Sequence, residues 1–264
     1  NQLLPVQVDT GYQQVSVGTG FTCGVRSGVV NCWGKNDVGQ LGIGSFGGNQ
    51  TMPTPTTLIN ALQVSAGANH ACAILSGGSL YCWGKNDFGQ LGLGDQTNRE
   101  SPTQVPGNWM EVSAGANVTC AINSSFSLYC WGRNDDAEIG QGATSPTPFN
   151  TPTYISGSYQ KVIVGSSTKG NAPGTHVCAL SVAGQLYCWG SNRLGQNHSA
   201  SAPTFVLTPT LVDGEVYTDF AVGETQTCGK RPSGAWFCRG FTQENHLPLG
   251  AGPDFPHLLP RLNY

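Results

Sequence analysis

Ten cysteines carry the most definite chemistry in the sequence. They fall into five pairs: Cys23/Cys32, Cys72/Cys82, Cys120/Cys130, Cys178/Cys188 and Cys228/Cys238, each nine or ten residues apart. Zinc usually takes four ligands, often at tight C-x-x-C spacing, and no such tetrad is present. A disulfide needs only two cysteines that can face each other. Each pair encloses a turn signal: Ser27-Gly28, Gly77-Gly78, Asn123-Ser124, Ala183-Gly184 and Ser233-Gly234. Two strands folding at such a turn bring directly opposed residues within disulfide reach. Five disulfides, one per pair, are therefore expected. Disulfides at this density call for an oxidising compartment, so the expected location is secreted or at the extracellular surface.

Other residue types add less. Four N-x-S/T sequons stand at Asn49, Asn117, Asn123 and Asn197 and are candidate glycosylation sites. Asn123 lies at an expected hairpin tip, with its side chain exposed; Asn117 lies beside a strand. The start at Asn1-Gln2, with no Met and no signal segment, reads as a processed or excised chain. Five histidines are dispersed. His70 and His176 share a slot that other copies of the pattern fill with Phe21, Val118 and Gln226, so the slot reads as packing rather than metal binding. No G-x-S-x-G elbow, H-E-x-x-H or paired-carboxylate motif occurs. No catalytic residue, metal ligand or cofactor is expected.

A charged run recurs: Lys35-Asn36-Asp37, Lys85-Asn86-Asp87 and Arg133-Asn134-Asp135, continued loosely by Asn192-Arg193. It lacks the D-x-D-x-D-G order of a calcium loop. Asn and Asp commonly cap turns through their side chains. The same run also reads as a ring of polar sites on one face, and it is the candidate binding face. Trp33, Trp83, Trp131 and Trp189 each precede a glycine at a strand end. They could stack on sugars, but their fixed place points to packing between repeats. The G-Q-L-G-x-G segments are followed by no Lys-Ser/Thr and no helix start, so they are turns and not phosphate loops.

These residues are positioned by a repeat. The stretch VSAGANHACAILSGGSLYCWGKNDFGQLGLGD at 64–95 returns at 15–45 and 112–143, more loosely at 162–200, and eroded at 220–251. A period near fifty residues marks a repeat architecture. Each copy holds short strands with turn signals every ten residues or so. They include one opened by proline, as at Pro55, Pro102, Pro152, Pro209 and Pro260, with Leu4–Val8 as a further strand of that kind. Proline is acceptable at a first strand position. Nothing has a helical period. The fold expected is all-β, a β-propeller of four-stranded blades with five recognisable repeats, as a single domain over 1–264. Leu4–Val8 and Leu259–Leu262 are expected to meet at the seam of the ring. The one large insertion is 166–175, between Gly165 and His176.

The run G-x-x-H-x-C-A, then Y-C-W-G-x-N-D-x-G-Q-L-G-x-G-D, resembles the regulator of chromosome condensation repeat family. The resemblance covers all five repeats, but the fifth has Cys238-Arg239-Gly240 and no G-Q-L-G. It implies a β-propeller, commonly seven-bladed, and protein binding. The cysteine-paired form looks like repeats of secreted bacterial and algal proteins and, distantly, of plant receptor-kinase ectodomains. The family's nuclear nucleotide-exchange role is not expected to carry over. That role is intracellular, whereas this chain looks oxidised and lacks basic character. Only 10% of residues are charged, the net charge is −3 and the pI is about 5.9. Nucleic acid is therefore not an expected partner, and no apolar run is long enough for membrane insertion. The function expected is an extracellular, non-enzymatic, protein-binding recognition or assembly module. A lectin with a glycan site on each blade is the alternative, and an inhibitor of a secreted enzyme is another.

Overall fold

A computed structural model describes residues 7–165, 174–197, 203–240 and 257–258. Every regular element there is a β-strand. The first blade is β1 (Tyr12–Val17), β2 (Phe21–Arg26), β3 (Val29–Gly34) and β4 (Gln50–Pro55), paired in that order. The second is β5 (Ala61–Ala66), β6 (His70–Leu75), β7 (Leu80–Gly84) and β8 (Arg99–Val105). The third holds β9 (Trp109–Ala114), β10 (Val118–Asn123) and β11 (Ser127–Asn134). Its outer strand is the first part of the long β12 (Ser145–Val164). The second part of β12 opens the fourth blade, followed by β13 (His176–Ser181), β14 (Gln185–Ser191) and β15 (Phe205–Val216). The fifth is β16 (Asp219–Val222), β17 (Gln226–Lys230), β18 (Trp236–Gly240) and β19 (His257–Leu258).

The architecture is a β-propeller of antiparallel four-stranded blades. Its cores lie between blades, because each inner face is apolar and must be covered by the next. Phe21, Val25 and Leu41 of blade 1 pack with Val64 and Trp83 of blade 2. Ile74 and Leu91 of blade 2 pack with Val112 and Trp131 of blade 3. Ile122 and Ile139 of blade 3 pack with Val177 and Trp189 of blade 4. Leu180 and Leu186 of blade 4 pack with Tyr217 and Phe220 of blade 5. Innermost strands touch in the order β1, β5, β9, β12, β16, and no comparable packing joins β16 or β17 back to β1 among the described residues.

Each cysteine pair closes a hairpin in register. Cys23 opposes Cys32 in blade 1, Cys72 opposes Cys82 in blade 2, and Cys120 opposes Cys130 in blade 3. Cys178 opposes Cys188 in blade 4, and Cys228 opposes Cys238 in blade 5. All five pairs are disulfides, as the spacing predicts, and no cysteine is free. Cys120, Cys130, Cys178 and Cys188 are fully buried, as are the four cysteines of blades 1 and 2. These eight sulfurs are part of the packing between blades as well as links across hairpins.

Two expectations about strands are corrected. The prolines do not open strands. Pro55 ends β4, whereas Pro102, Pro152 and Pro209 lie inside β8, β12 and β15. These are the outer edge strands, whose solvent-side positions need no donor, so proline costs the ladder nothing. Gln7 and Val8 are not in a strand. The remainder of Leu4–Val8, Pro260, the proposed seam at Leu259–Leu262 and nearly all of the insertion at 166–175 lie outside the described residues.

Candidate interaction surfaces

One rim of the blades is made by the loops after the Trp-Gly pairs. The asparagine of each charged run is buried: Asn36 and Asn86 at 0%, Asn134 at 1% and Asn192 at 4% exposure. Each side chain holds its loop closed from within. Asn36 Oδ1 accepts from Leu41 N–H at 3.1 Å, while its Nδ2 donates to Ser45 O and Gly47 O. Asn86 does the same between Leu91 N–H and Asp95 O, Asn134 between Ile139 N–H and Ala143 O, and Asn192 between Asn197 N–H and Pro203 O. The four asparagines are therefore removed from the candidate binding face. A planar amide that offers donor and acceptor together satisfies two backbone groups that would otherwise be buried unpaired.

The charges of the runs do reach the surface, but they pair locally. Lys35 meets Asp37 at 2.8 Å, Lys85 meets Asp87 at 3.2 Å, and Arg133 meets Asp135 at 2.7 Å. The aspartates thus pair with a cation two residues back instead of capping the turn. Arg193, in the slot of the aspartates, reaches back to Asp136 of blade 3 at 3.2 Å. Lys85 and Arg133 both lie over the Phe88 ring. The rim is a set of self-neutralised pairs.

Behind it, the buried glutamine of each loop receives a backbone N–H two residues earlier: Gln40 from Val38, Gln90 from Phe88 and Gln196 from Leu194. Blade 3 has Glu138 there, with Oε2 accepting from Asp136 N–H at 2.8 Å. Burial raises its pKa to about 8, so at neutral pH it is mostly the protonated acid, an isostere of glutamine. The carbonyl of the same residue receives the indole of the next blade. Gln40 O accepts from Trp83 at 3.0 Å, Gln90 O from Trp131 at 2.9 Å and Glu138 O from Trp189 at 2.8 Å. These three indoles are fully buried and have no face left for a sugar. Gly42, Gly92 and Gly140 lie against those indoles. A Cβ there would come within 2.7–2.9 Å of the ring, and each φ is positive, between 66° and 74°.

His70 and His176 are fully buried between blades. His70 Nε2 lies 2.8 Å from Thr119 Oγ1, which donates onward to Gln90 O. Thr119 must then accept from His70, which places the proton on Nε2. His176 meets Thr227 Oγ1 at 2.9 Å. Burial lowers both pKa values to about 3. No group of three or more His, Cys, Asp or Glu suited to a metal occurs among the described residues.

The sequons differ in access. Asn49 is exposed, and Asn117 is half-buried. Asn123 is half-buried rather than exposed, because its Oδ1 is tied to Ser125 N–H and Ser127 N–H. Asn197 is fully buried, with Nδ2 donating to Ser191 O at 2.8 Å, so the folded chain has no room for a glycan there.

The opposite rim carries the hairpin tips, Asn123 among them, and the crossovers between blades. Each of the first four inner strands has a bulge near its start: at Gln13, Leu62, Met110 and Gln160 the ladder skips one residue. The extra residue turns outward. In the neighbouring blades 2 and 3 it is apolar, leaving Leu62 69% and Met110 44% exposed. Ile59 and Phe126 on the same rim are also exposed.

The regulator of chromosome condensation (RCC1) repeat matches residues 27–74 and 77–122, and a second description of that repeat matches 62–90 and 174–196. No protein with a curated description matches the chain in sequence. Among solved structures, human WBSCR16 aligns with a TM-score of 0.77 at 21% identity, covering 97% of this chain and 68% of that one. Saccharomyces cerevisiae Prp20p, whose structure was described with its binding to Gsp1p and histones, aligns at 0.78 and 17%, covering 95% and 64%. The Physcomitrella patens receptor kinase CR4 ectodomain aligns at 0.52 and 24%, covering 90% and 53%. At these identities the likeness shows the fold. The chain spans between about half and two thirds of the length of these structures.

Proposed function

Since this chain belongs to the regulator of chromosome condensation (RCC1) repeat family, we propose that it is a non-enzymatic, extracellular module that binds another protein through its hairpin rim. The observation that carries this reading is the pair of exposed bulge residues Leu62 and Met110, at the same position on the neighbouring inner strands β5 and β9. Loops and bulges on a fixed scaffold are where binding residues concentrate, and exposed apolar side chains gathered on one rim suit a protein partner. The loop rim offers less, because its asparagines are internal and its charges neutralise one another. Five disulfides support an oxidising compartment, and the binding to Gsp1p and histones described for Prp20p supports protein recognition by this architecture. Burial of Trp83, Trp131 and Trp189 takes away three of the four stacking platforms that a lectin reading would use.

The test is affinity capture from the extracellular fluid of the native source, with the wild-type chain and a Leu62→Asp, Met110→Asp variant. A protein retained by the wild type and lost with the variant supports the reading. Retention by both, or binding to a glycan array in place of any protein, overturns it.

A further inference from the structure

The outer strands of blades 1 to 4 each leave register at one place. Between the pairs Cys32↔Thr54 and Gly34↔Gln50, Trp33 of β3 faces residues 51–53 of β4. In the same way Trp83 faces 100–102 of β8, Trp131 faces 150–152 of β12 and Trp189 faces 207–209 of β15. Each set of residues opposite a tryptophan is a bulge, which re-aims the side chain at its centre. The centres are Met52, Ser101, Thr151 and Thr208. All of them are exposed, lie in extended backbone and precede a proline. In blades 2 to 4 the bulge is anchored to the loop of the preceding blade. Glu100 O accepts from Gly44 N–H, Asn150 O from Gly94 N–H and Leu207 O from Gly142 N–H, each at 2.9 Å.

The hydroxyls along this edge are of two kinds. Thr54, Thr103, Thr153 and Thr210 lie two residues past each centre, and each turns Oγ1 back to the carbonyl of the centre at 2.9–3.2 Å. Ser101, Thr151 and Thr208 are themselves centres, and among the described residues their hydroxyls make no hydrogen bond. Sequence order does not separate the two kinds, because Thr54 also precedes a proline, Pro55. Edge strands are ordinarily guarded by charge as well as by proline. Here residues 50–55, 145–155 and 205–212 contain no charged residue, while Met52, Tyr154, Leu207 and Leu211 stand exposed.

We propose that Ser101, Thr151 and Thr208 are O-glycosylation sites, one on the outer edge of each of three successive blades. The sugar comes from an activated, phosphate-linked sugar donor through a transferase. The hydroxyl oxygen bonds to the anomeric carbon, the bond from that carbon to the phosphate oxygen breaks, and the hydroxyl proton passes to a base of the transferase. Proline beside Ser or Thr is the usual composition of O-glycosylated segments. The bulge adds what composition cannot, an exposed hydroxyl on a fixed and extended backbone. Glycans here give the edge the hydrated cover that charge does not, and they leave both rims free. The proposal rests on the extracellular reading above, because such a modification requires passage through a secretory route.

Peptide mass spectrometry of the chain purified from its native source, with fragmentation that keeps the sugar on its residue, tests the proposal. Sugar is expected at Ser101, Thr151 and Thr208, and none at Thr54, Thr103, Thr153 or Thr210. Ser101→Ala, Thr151→Ala and Thr208→Ala, made in the same source, should each remove one increment of mass. Met52→Thr gives blade 1 the same exposed hydroxyl before a proline and should add one. Sugar spread equally over the hydrogen-bonded threonines, or a Met52→Thr chain that gains none, overturns the proposal, because the bulge then selects nothing. Bare hydroxyls at all three sites overturn it as well. If the five disulfides are formed in that bare chain, the extracellular reading survives. Free thiols, or phosphate in place of sugar, bring down both.

Discussion

The junction of blades 2 and 3 and the junction of blades 4 and 5 solve one problem with different chemistry. At the first, the buried Trp131 donates to Gln90 O, and Ser65 and Gln63 satisfy the neighbouring edge strand. At the second, Arg239 replaces the tryptophan and still reaches the preceding loop, donating to Asn197 O at 3.3 Å and to Val212 O at 3.4 Å. The serine hydroxyl is lost at Ile163, and Lys161 pairs with Asp219 across the junction. What persists is a donor from the later blade to a carbonyl of the preceding loop, here Asn197 O, one residue beyond the Gln196 that matches Gln90. What changes is the apolar area sealed around it, which shrinks from an indole to a guanidinium stem. A repeat can lose its motif and keep its place in the fold, with a weaker joint.

The largest effect should come from cutting the stronger joint. Trp131→Ala should cost about 3–5 kcal/mol, as for other large-to-small changes at fully buried aromatics. Arg239→Ala should cost less, about 1.5–3 kcal/mol, the range for a hydrogen bond to a charged group. Chemical denaturation of both variants checks the order. An Arg239→Ala loss equal to that of Trp131→Ala would mean that the two joints are equally strong.

Next come the disulfides, which sharpen the comparison through access. Both Cys72 and Cys82 are fully buried, as are Cys120 with Cys130 and Cys178 with Cys188, whereas Cys228 is half-buried. Graded reduction followed by thiol labelling should therefore open Cys228–Cys238 first and the bonds of blades 2, 3 and 4 later. Replacing Cys72 and Cys82 together with Ala should cost about 2.5–3 kcal/mol, the chain-entropy value for so short a loop, and should loosen blade 2 before the others in hydrogen exchange.

The joints also differ in their response to pH. His70 spans blades 2 and 3, and His176 spans blades 4 and 5. With folded pKa values near 3 against a usual 6.5, each contributes stability that is complete above pH 6.5 and is lost as pH falls toward 3. Glu138, at the joint of blades 3 and 4, has the opposite sign. Its folded pKa near 8 lies above the usual 4.5, so its contribution is complete below pH 4.5 and is lost as pH rises through 8. His70→Phe copies Phe21 of blade 1 and should flatten the acid limb of a melting-temperature profile. Glu138→Gln copies the other loops and should flatten the alkaline limb. A profile unchanged by either variant would break the assignment.

Much of this was legible beforehand, and the rest was hidden for identifiable reasons. The cysteine pairs and their turns announced the hairpins because disulfide geometry constrains spacing directly. The packing role of the tryptophans followed from their fixed place, but their partner did not. It is a backbone carbonyl of the preceding blade, and a carbonyl leaves no residue-type signature. The charged runs carried two readings, turn-capping and a polar face, and the asparagines follow the first. Lys, Asn and Asp are all polar, yet Asn36, Asn86, Asn134 and Asn192 point inward while their neighbours point out. Their recurrence in all four copies, where the flanking charges drift to Ser191 and Arg193, was the available clue that the amide is structural. The bulges at Leu62 and Met110 were invisible, since one extra residue in a strand alters register without altering composition. Asn197 shows the limit of a triplet motif, which records what an enzyme could recognise and says nothing of burial.

The smallest effect should belong to the pair that crosses the weaker joint. Lys161 and Asp219 are 36% and 46% exposed, so solvent screens their attraction and the pair should contribute only about 0.2–1 kcal/mol. Hydrogen bonding to Lys161 lowers the Asp219 pKa against the opposing effect of burial. Whatever the pair contributes is thus present above the ordinary carboxylate range and is lost as pH falls below it. Lys161 also lies over the Phe220 ring, so its stem has packing to lose as well as charge. A double-mutant cycle with Lys161→Met and Asp219→Asn separates the two contributions, because Met keeps the stem. The coupling energy should fall toward zero as salt rises past about 1 M, where the screening length is about 3 Å. The penalty for Trp131→Ala, which is apolar burial plus one neutral hydrogen bond, should not fall with salt. If both responded to salt alike, the two joints would not differ in kind, and the contrast drawn between them would fail.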